Sequence, residues 1–435
     1  MPSFPPALRH ADYRRYLFGA FVSNVGNMLQ SAAIALHIYS LTNNSYYVGL
    51  VGLVRVVPLL VFSLYGGIVA DHNDRRKVVI VTQICMSLIA LMLFAMQWFH
   101  VTLLWPIYLA VALLSITNSF DNPARQAMVP NLVPIEDLPN AIGLNGISWR
   151  LSDVLGPIIA GFVIASKGVG ALDGYAACYL LNFITFGAVL IAVLMLPALP
   201  PQGHQGNRPQ NVKEIIQAIK EGLRFVNRTP VLRSSLWIDF WATFFSGADA
   251  LIPAFATKIL NAGPEGYGLL RASAGVGALL AAGMMTWMPT VKKQGQWVIT
   301  MIALYGLFTI LFGVAPSLWM AMIFLAGTGF TDMASTVVRQ TIRQFATPDR
   351  MRGRMTATSV LFHATGPQLG DYEAGALALG VGERLSVVIG GAAGLLLAGW
   401  WGRGGALKRY EHGDQAFIDE ETIGQVEVEK VEEKK

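Results

Sequence analysis

Charge is what this chain has little of. Only 14% of its 435 residues are Asp, Glu, Lys or Arg, against about 25% in a soluble domain. With 54% hydrophobic residues and a mean hydropathy of +0.49, a soluble fold could not hide the apolar surface. Cysteine is nearly absent too: Cys85 and Cys178 both fall in apolar stretches, which excludes a disulfide scaffold or a thiolate metal centre and leaves them as packing residues. No H-E-x-x-H, H-x-x-x-x-D, G-x-S-x-G or G-x-x-x-x-G-K-[ST] pattern occurs, so a membrane acyltransferase, a metalloprotease and an ATP-driven pump all lack their machinery. No enzyme activity, cofactor or metal is expected. The first fourteen residues are polar and carry no small-residue cleavage site, so no removed signal peptide is expected either.

Long apolar runs are what the chain does have. Crossing a bilayer takes about 20 residues, and twelve candidate spans qualify, at 16–40, 46–70, 77–97, 104–124, 141–165, 175–197, 232–257, 266–288, 297–315, 317–339, 356–380 and 384–402. Aromatics such as Tyr46, Tyr47, Trp98, Trp105, Trp400 and Trp401 gather near the ends, as interfacial anchors do. With both termini in the cytoplasm, 23 of the 32 Lys and Arg residues fall on inner segments and only Lys167, Lys258 and Arg384 on outer loops. The positive-inside rule therefore predicts that orientation. The pI of 9.1 is a by-product of this bias, and no nucleic-acid partner is read from it.

Between spans two and three the chain reads Gly66-Gly67-Ile-Val-Ala-Asp71-His-Asn-Asp74-Arg75-Arg76-Lys77. The glycines allow close helix approach, the aspartates favour a turn, and the basic run holds the turn inside. This stretch resembles the major facilitator signature G-x-x-x-D-x-x-x-R-[RK]-[RK]. The resemblance implies an all-α membrane transporter of twelve helices in two six-helix halves, with Asp71 holding a cytoplasmic gate against span eleven through a helix N-terminus. A duplication agrees: Arg125-Gln126 and Pro134 recur 214 residues on as Arg339-Gln340 and Pro348, each after a span containing an aspartate, Asp121 or Asp332. Gly66 with Arg75-Arg76 has a weaker echo in Gly283 with Lys292-Lys293. Parallel repeats of this kind place a small-molecule cavity between the halves. The predicted organisation is an N-terminal half at 1–199, a linker at 200–230 with an amphipathic helix on the cytoplasmic face, a C-terminal half at 231–402 and a disordered tail at 403–435. Partners are the lipid bilayer, the cargo and protons, and the chain is expected to act as a monomer.

Charges inside spans are costly unless paired or hydrated, so mechanism is sought there. Arg55 lies in span two, and Arg150 with Asp153 in span five, three residues apart and able to pair. The alternative is that Asp153 faces the cavity and exchanges protons beside Arg55 or Arg150. In the second half Asp239, Asp249, Asp332, Asp371 and Glu373 accompany Arg271. Asp239 lies roughly 10 Å in from the cytoplasmic end at 1.5 Å per residue, whereas Asp249, Asp371 and Glu373 fall toward the outer face. Asp153, Asp239 and Glu373 are the proton-coupling candidates, with Arg55, Arg150 and Arg271 as buried charge partners. Asp121 with Arg125 and Asp332 with Arg339 read as symmetric gate latches, with coupling sites as the alternative. His37 is placed toward the outer end of span one, in a hydrated structural role.

Span five carries Gly156-Pro157-Ile-Ile-Ala-Gly161, similar to the antiporter motif of drug-exporting members. Together with Phe120-Asp121-x-Pro123-x-Arg125-Gln126 and Asn140-Ala141-x-x-Leu144-Asn145, it resembles the exporter branch that includes the enterobactin exporter and macrolide efflux proteins. In that branch an arginine usually stands three residues before the Gly-Pro, where this chain has Asp153, and Gly26-Asn27 replaces the common Gly-Asp. The resemblance implies a proton-coupled exporter of an amphipathic or hydrophobic compound, a drug or siderophore-like metabolite. Import of a small solute by symport is the alternative, since the fold supports both directions.

Overall fold

The apolar runs fold as helices, started by caps or prolines and stopped by polar breaks. A computed structural model describes residues 5–166, 172–199, 212–348 and 351–412, without the side chains of Leu64, Asp71, Val212, Ile215 and Ala357. Spans one to six are Ala11–Thr42, Ser45–His72, Arg75–Trp98, Trp105–Met128, Leu138–Ala165 and Gly174–Leu194. The linker helix is Val212–Arg228. Span seven opens with Pro230–Ser246, and spans eight to twelve are Gly263–Trp287, Gln294–Val314, Leu318–Phe345, Arg352–Val381 and Glu383–Gly402. The Asn44 side chain accepts the Tyr46 amide at 2.9 Å to start span two, and Asp74 does the same for Arg76 at 3.0 Å to start span three. Asn43, with φ 51°, ends span one.

Eight of these helices are long and apolar enough to cross a membrane by length and composition alone. Spans one, four, seven and eleven are not among them. Spans one, four and eleven are the polar ones, carrying Asn24, Asn27 and Gln30; Asn118, Asp121 and Asn122; and Gln368, Asp371 and Glu373. Such residues are tolerated at this depth only where they face protein or water. Span seven falls short for a second reason: it is broken. A continuous helix over 232–257 is predicted, but the chain leaves the helix at Gly247 (ψ 127°), makes a 3-10 turn at Asp249–Leu251 and resumes at Ile252, with a π turn at Phe255–Ile259. Gly247 has weak helix propensity and Pro253 lacks an amide, while the Asp371 carboxylate accepts the freed Ala250 N–H at 3.1 Å.

The buried apolar side chains fall into unequal groups. At the end of the bundle away from the linker helix, one continuous cluster joins both halves, running from Ile34, Val48 and Ile164 to Phe255, Tyr267 and Phe312. Among the described residues there is no such union at the linker end. One cluster there belongs to the first half, around Tyr13, Met128 and Val189, and others to the second, around Ile238, Ile342 and Phe225. Hydrophobic burial thus ties the halves at one end and separates them at the other.

Four expectations change in detail. Spans four and ten run past Arg125 and Arg339 to Met128 and Phe345, farther than the expected 104–124 and 317–339. The linker helix packs on the second half beyond lying on a face: Phe225 and Val226 are buried against Leu232, Leu236 and Met355, and Glu221 pairs with Arg354 of span eleven at 2.9 Å. The tail is ordered at its start, where Ala406–Arg409 form a turn with Leu407 and Tyr410 buried and the Gly295 amide donating to the Tyr410 carbonyl at 3.2 Å. Residues 413–435 and linker residues 200–211 lie outside the described residues. His37 is buried rather than hydrated, stacked on Tyr175 at 4.6 Å and hydrogen-bonded to the Tyr179 hydroxyl at 3.0 Å. Cys178 is buried and Cys85 exposed.

Candidate functional site

The signature turn sits at the linker end. A Cβ on Gly66 would run into the Ser119 carbonyl of span four, whereas Gly67 has nothing within 4 Å. In the second half Gly283 also meets nothing, and the comparable close approach is made by Gly277 against Ala326. Arg75 is buried. Arg76 does something the sequence does not reveal: Nε donates to the Val193 carbonyl at 3.0 Å and Nη2 to the Leu194 carbonyl at 2.7 Å, closing the C-terminal end of span six. The Asp71 side chain lies outside the described residues. Replacing Arg76 by Ala is expected to lower stability by about 1–3 kcal/mol through two lost charge-assisted hydrogen bonds, read as a lower thermal midpoint in detergent, with Lys restoring part. An unchanged midpoint would refute the bracing role.

The Gly-Pro motif of span five is an interface element. A Cβ on Gly156 would collide with Met28 of span one, and one on Gly161 would stand 2.6 Å from the Pro264 carbonyl and 3.0 Å from the Gly268 Cα of span eight. Pro157 lines a cavity beside this crossing. Spans two and eleven meet in the same way, with Gly49 2.6 Å from the Asp371 carbonyl at its virtual Cβ. Both crossings lie at the end away from the linker. At the linker end Gly143, Gly146 and Gly353 have nothing within 4 Å.

Between the halves lie two adjoining cavities, of about 560 Å³ and 310 Å³, that share Met28 and Ser31 of span one. The larger is lined chiefly by the first half and is rich in amides, among them Asn24, Asn27, Asn118, Asn122 and Gln126, with Gln368 contributed by span eleven. Arg55 lines it, donating to Ser31 Oγ at 2.9 Å. Pro58 disrupts the turn that holds Arg55, and the Ser115 hydroxyl donates to the Arg55 carbonyl there at 2.7 Å. The smaller cavity holds the charges: Arg150, Asp153, Asp249, Arg271, Asp332 and Asp371. Arg271 pairs with Asp249 at 2.9 Å and Arg150 with Asp153 at 3.6 Å.

Toward the linker end each half contains an arginine–aspartate pair within the helices. Arg125 meets Asp121 at 2.6 Å, and that carboxylate also accepts from Thr82 at 2.6 Å and Gln83 at 2.9 Å. Arg339, 1% exposed, meets Asp239 at 2.8 Å and Asp332 at 3.5 Å and donates to Ser335 and Thr336 at 3.0 and 2.8 Å. Ser335 stands where the repeat offset would place the counterpart of Asp121. The acid in the second half therefore comes from span seven, as Asp239. His363 approaches the same carboxylate at 3.6 Å. Each latch residue is engaged within its own half. Glu373 is half-buried in span eleven and has no hydrogen bond or ion pair among the described residues.

Asp249 and Asp371 lie toward the end away from the linker, as their depth predicts, and both also line the smaller cavity, Asp249 because span seven breaks beside it and Asp371 from the continuous span eleven. The warning signs in the sequence were Gly247 and Pro253 flanking Asp249.

The sequence matches the family described as transmembrane secretion effector over residues 2–432. The chain belongs to that family. Its curated relatives include the Enterobactin exporter EntS of Shigella boydii serotype 18 (strain CDC 3083-94 / BS512), 29% identical over 401 residues covering 90% of each chain. Among solved structures it is similar to a bacterial homologue of the human lysosomal transporter Spinster in an inward-facing, occupied conformation. That match has TM-score 0.69 and 14% identity and covers 92% of this chain and 98% of that one. It is also similar to a bacterial homologue of the iron transporter ferroportin in an inward-facing state, with TM-score 0.67 and 15% identity, covering 89% and 97%. This secretion effector is thus a multi-pass membrane transporter of the major facilitator superfamily, not an enzyme.

Proposed function

We propose that this transporter exports a siderophore-like, oxygen-rich metabolite from the cytoplasm across the bacterial inner membrane in exchange for protons, acting as a monomer. The observation that carries the reading is that apolar burial and glycine crossings join the halves at the end away from the linker helix, whereas at the linker end their buried clusters stay separate, as they would if the chamber opened there. The count of basic residues assigns the linker end and both termini to the cytoplasm, so the chamber is loaded from inside. Relatives named as enterobactin exporters support export over uptake. The amide lining supports a polar cargo over an apolar drug.

Residues 1–199 and 231–402 act as two halves rocking about the chamber. The crossings of spans five and eight and of spans two and eleven part as the linker-side ends close, and Asp71 then meets the start of span eleven. Asp121 with Arg125 and Asp332 with Arg339 brace the cytoplasmic ends of their halves, and Asp239 serves Arg339 rather than carrying protons. Glu373, nearer the outer face, is a secondary proton site. Coupling is placed on Asp153 and Asp371, which share the smaller cavity with Arg150 and Arg271 and change surroundings as it opens. Asp153→Asn and Asp371→Asn are each expected to lower gradient-driven cargo accumulation at least tenfold while cargo exchange without a gradient persists. Full accumulation in either variant would remove that residue from the coupling path. Export itself is tested by mass spectrometry of the medium from a strain lacking this chain, where a siderophore-like metabolite should disappear from the medium and build up inside cells. An unchanged medium would contradict the reading.

A further inference from the structure

Of the arginines Arg55, Arg125, Arg150, Arg271 and Arg339, four are paired: Arg125 with Asp121, Arg150 with Asp153, Arg271 with Asp249 and Arg339 with Asp239. Arg55 is the exception. Among the described residues no carboxylate lies within 4.0 Å of its guanidinium, and its one side-chain hydrogen bond goes to Ser31. It is the eleventh residue of span two, about 15 Å in at 1.5 Å per residue, close to the middle of a bilayer core about 30 Å thick. A cation at that depth needs a counter-charge or water, and the protein supplies no acid in direct contact: the acid facing Arg55 from span eleven is Asp371, packed against Gly52 one turn away and already accepting the Ala250 amide. The other polar groups of the larger cavity are mostly neutral amides, and the acid there, Asp121, is already engaged by Arg125, Thr82 and Gln83.

We infer that the larger cavity is the cargo site and that it takes an organic anion, whose charged group seats on Arg55 while its remaining oxygens seat on the surrounding amides. A guanidinium fork matches a planar carboxylate or a pair of phenolate oxygens two bonds at a time. Amides donate and accept alike, so they suit hydroxyl, ester and carbonyl oxygens without requiring further charge. Gln368 reaches the same cavity from the second half, so a cargo on Arg55 is touched by both halves at once. The inference rests on the export reading for what the cavity serves, but not for its sign of charge.

Two measurements separate these points. In full-length protein with Cys85→Ser, a cysteine replacing Leu59 stands one helical turn from Arg55 in the cavity wall. Its labelling rate is compared for an anionic and a cationic methanethiosulfonate of similar size. Arg55→Gln is expected to lower the anionic-to-cationic rate ratio about tenfold or more, and Arg55→Lys to preserve it; a ratio unmoved by Arg55→Gln overturns the anion site. In cells, Arg55→Gln is expected to cut enterobactin export at least tenfold with folded protein at the normal level, because removing an unpaired charge orphans no partner. Arg55→Lys keeps a substantial part. Normal export by Arg55→Gln overturns the anchoring role. If the unaltered chain exports no enterobactin, the cargo reading fails while the labelling ratio still decides the anion site.

Discussion

Gly161→Leu is expected to abolish export almost completely in a protein that still inserts and folds. The virtual Cβ at Gly161 already stands 2.6 Å from the Pro264 carbonyl and 3.0 Å from the Gly268 Cα. These are backbone atoms that no rotamer change can move aside. Overpacking of this kind costs about 1–3 kcal/mol, and here the cost falls on a single conformation, the one in which spans five and eight cross. Two states of a transporter differ by a few kcal/mol, so about 3 kcal/mol lowers the occupancy of the inward-loading state roughly a hundredfold. Export should fall to a few per cent or less, and spin labels on the outer ends of spans five and eight should report longer distances. Gly187→Leu, at a position with nothing within 4 Å, should behave like the unaltered protein. Equal export by Gly161→Leu would mean that the crossing is not part of the working cycle.

The second large effect concerns stability. Asp239→Ala leaves the Arg339 guanidinium, 1% exposed, with Asp332 at 3.5 Å as its nearest remaining acid. Breaking a buried pair on one side costs about 3–5 kcal/mol, a large part of a typical total of about 5–15 kcal/mol. A sharply lower thermal midpoint and little folded protein are expected. Adding Arg339→Met should recover much of the loss, because the orphaned charge goes with it. If Asp239→Ala were as stable as the parent and simply uncoupled, Asp239 would return to the list of proton carriers.

The difference between these two sites shows what a sequence can carry. Gly-Pro-x-x-x-Gly is visible as a motif, and close packing follows from its composition, though not which helix it packs against. Asp121 and Arg125 pair across four residues on one helix, which spacing alone suggests. Asp239 and Arg339 lie a hundred residues apart, on spans seven and ten, and only the packing of the second half brings them to 2.8 Å. The span count and the basic-residue bias were readable because hydropathy and charge act over whole segments. The break at Gly247 was not, because a window long enough to detect a span averages over one glycine and one proline. Arg55 was visible as a charge in span two, but its lack of a partner is a statement about every neighbouring helix at once. Polarity of spans one, four and eleven carried more information than their hydrophobicity, since it marks the helices that wall the cavity.

Proton-driven export through a cavity loaded from the linker side is the central claim, and purified protein in proteoliposomes tests it most directly. Enterobactin is supplied on the side of the linker helix, and a proton gradient is imposed with the opposite lumen acidic. The account expects cargo to accumulate in that lumen, lumenal protons to leave as it does so, and both movements to stop when an ionophore collapses the gradient. Accumulation that is indifferent to the gradient, or cargo and protons moving in the same direction, would contradict it.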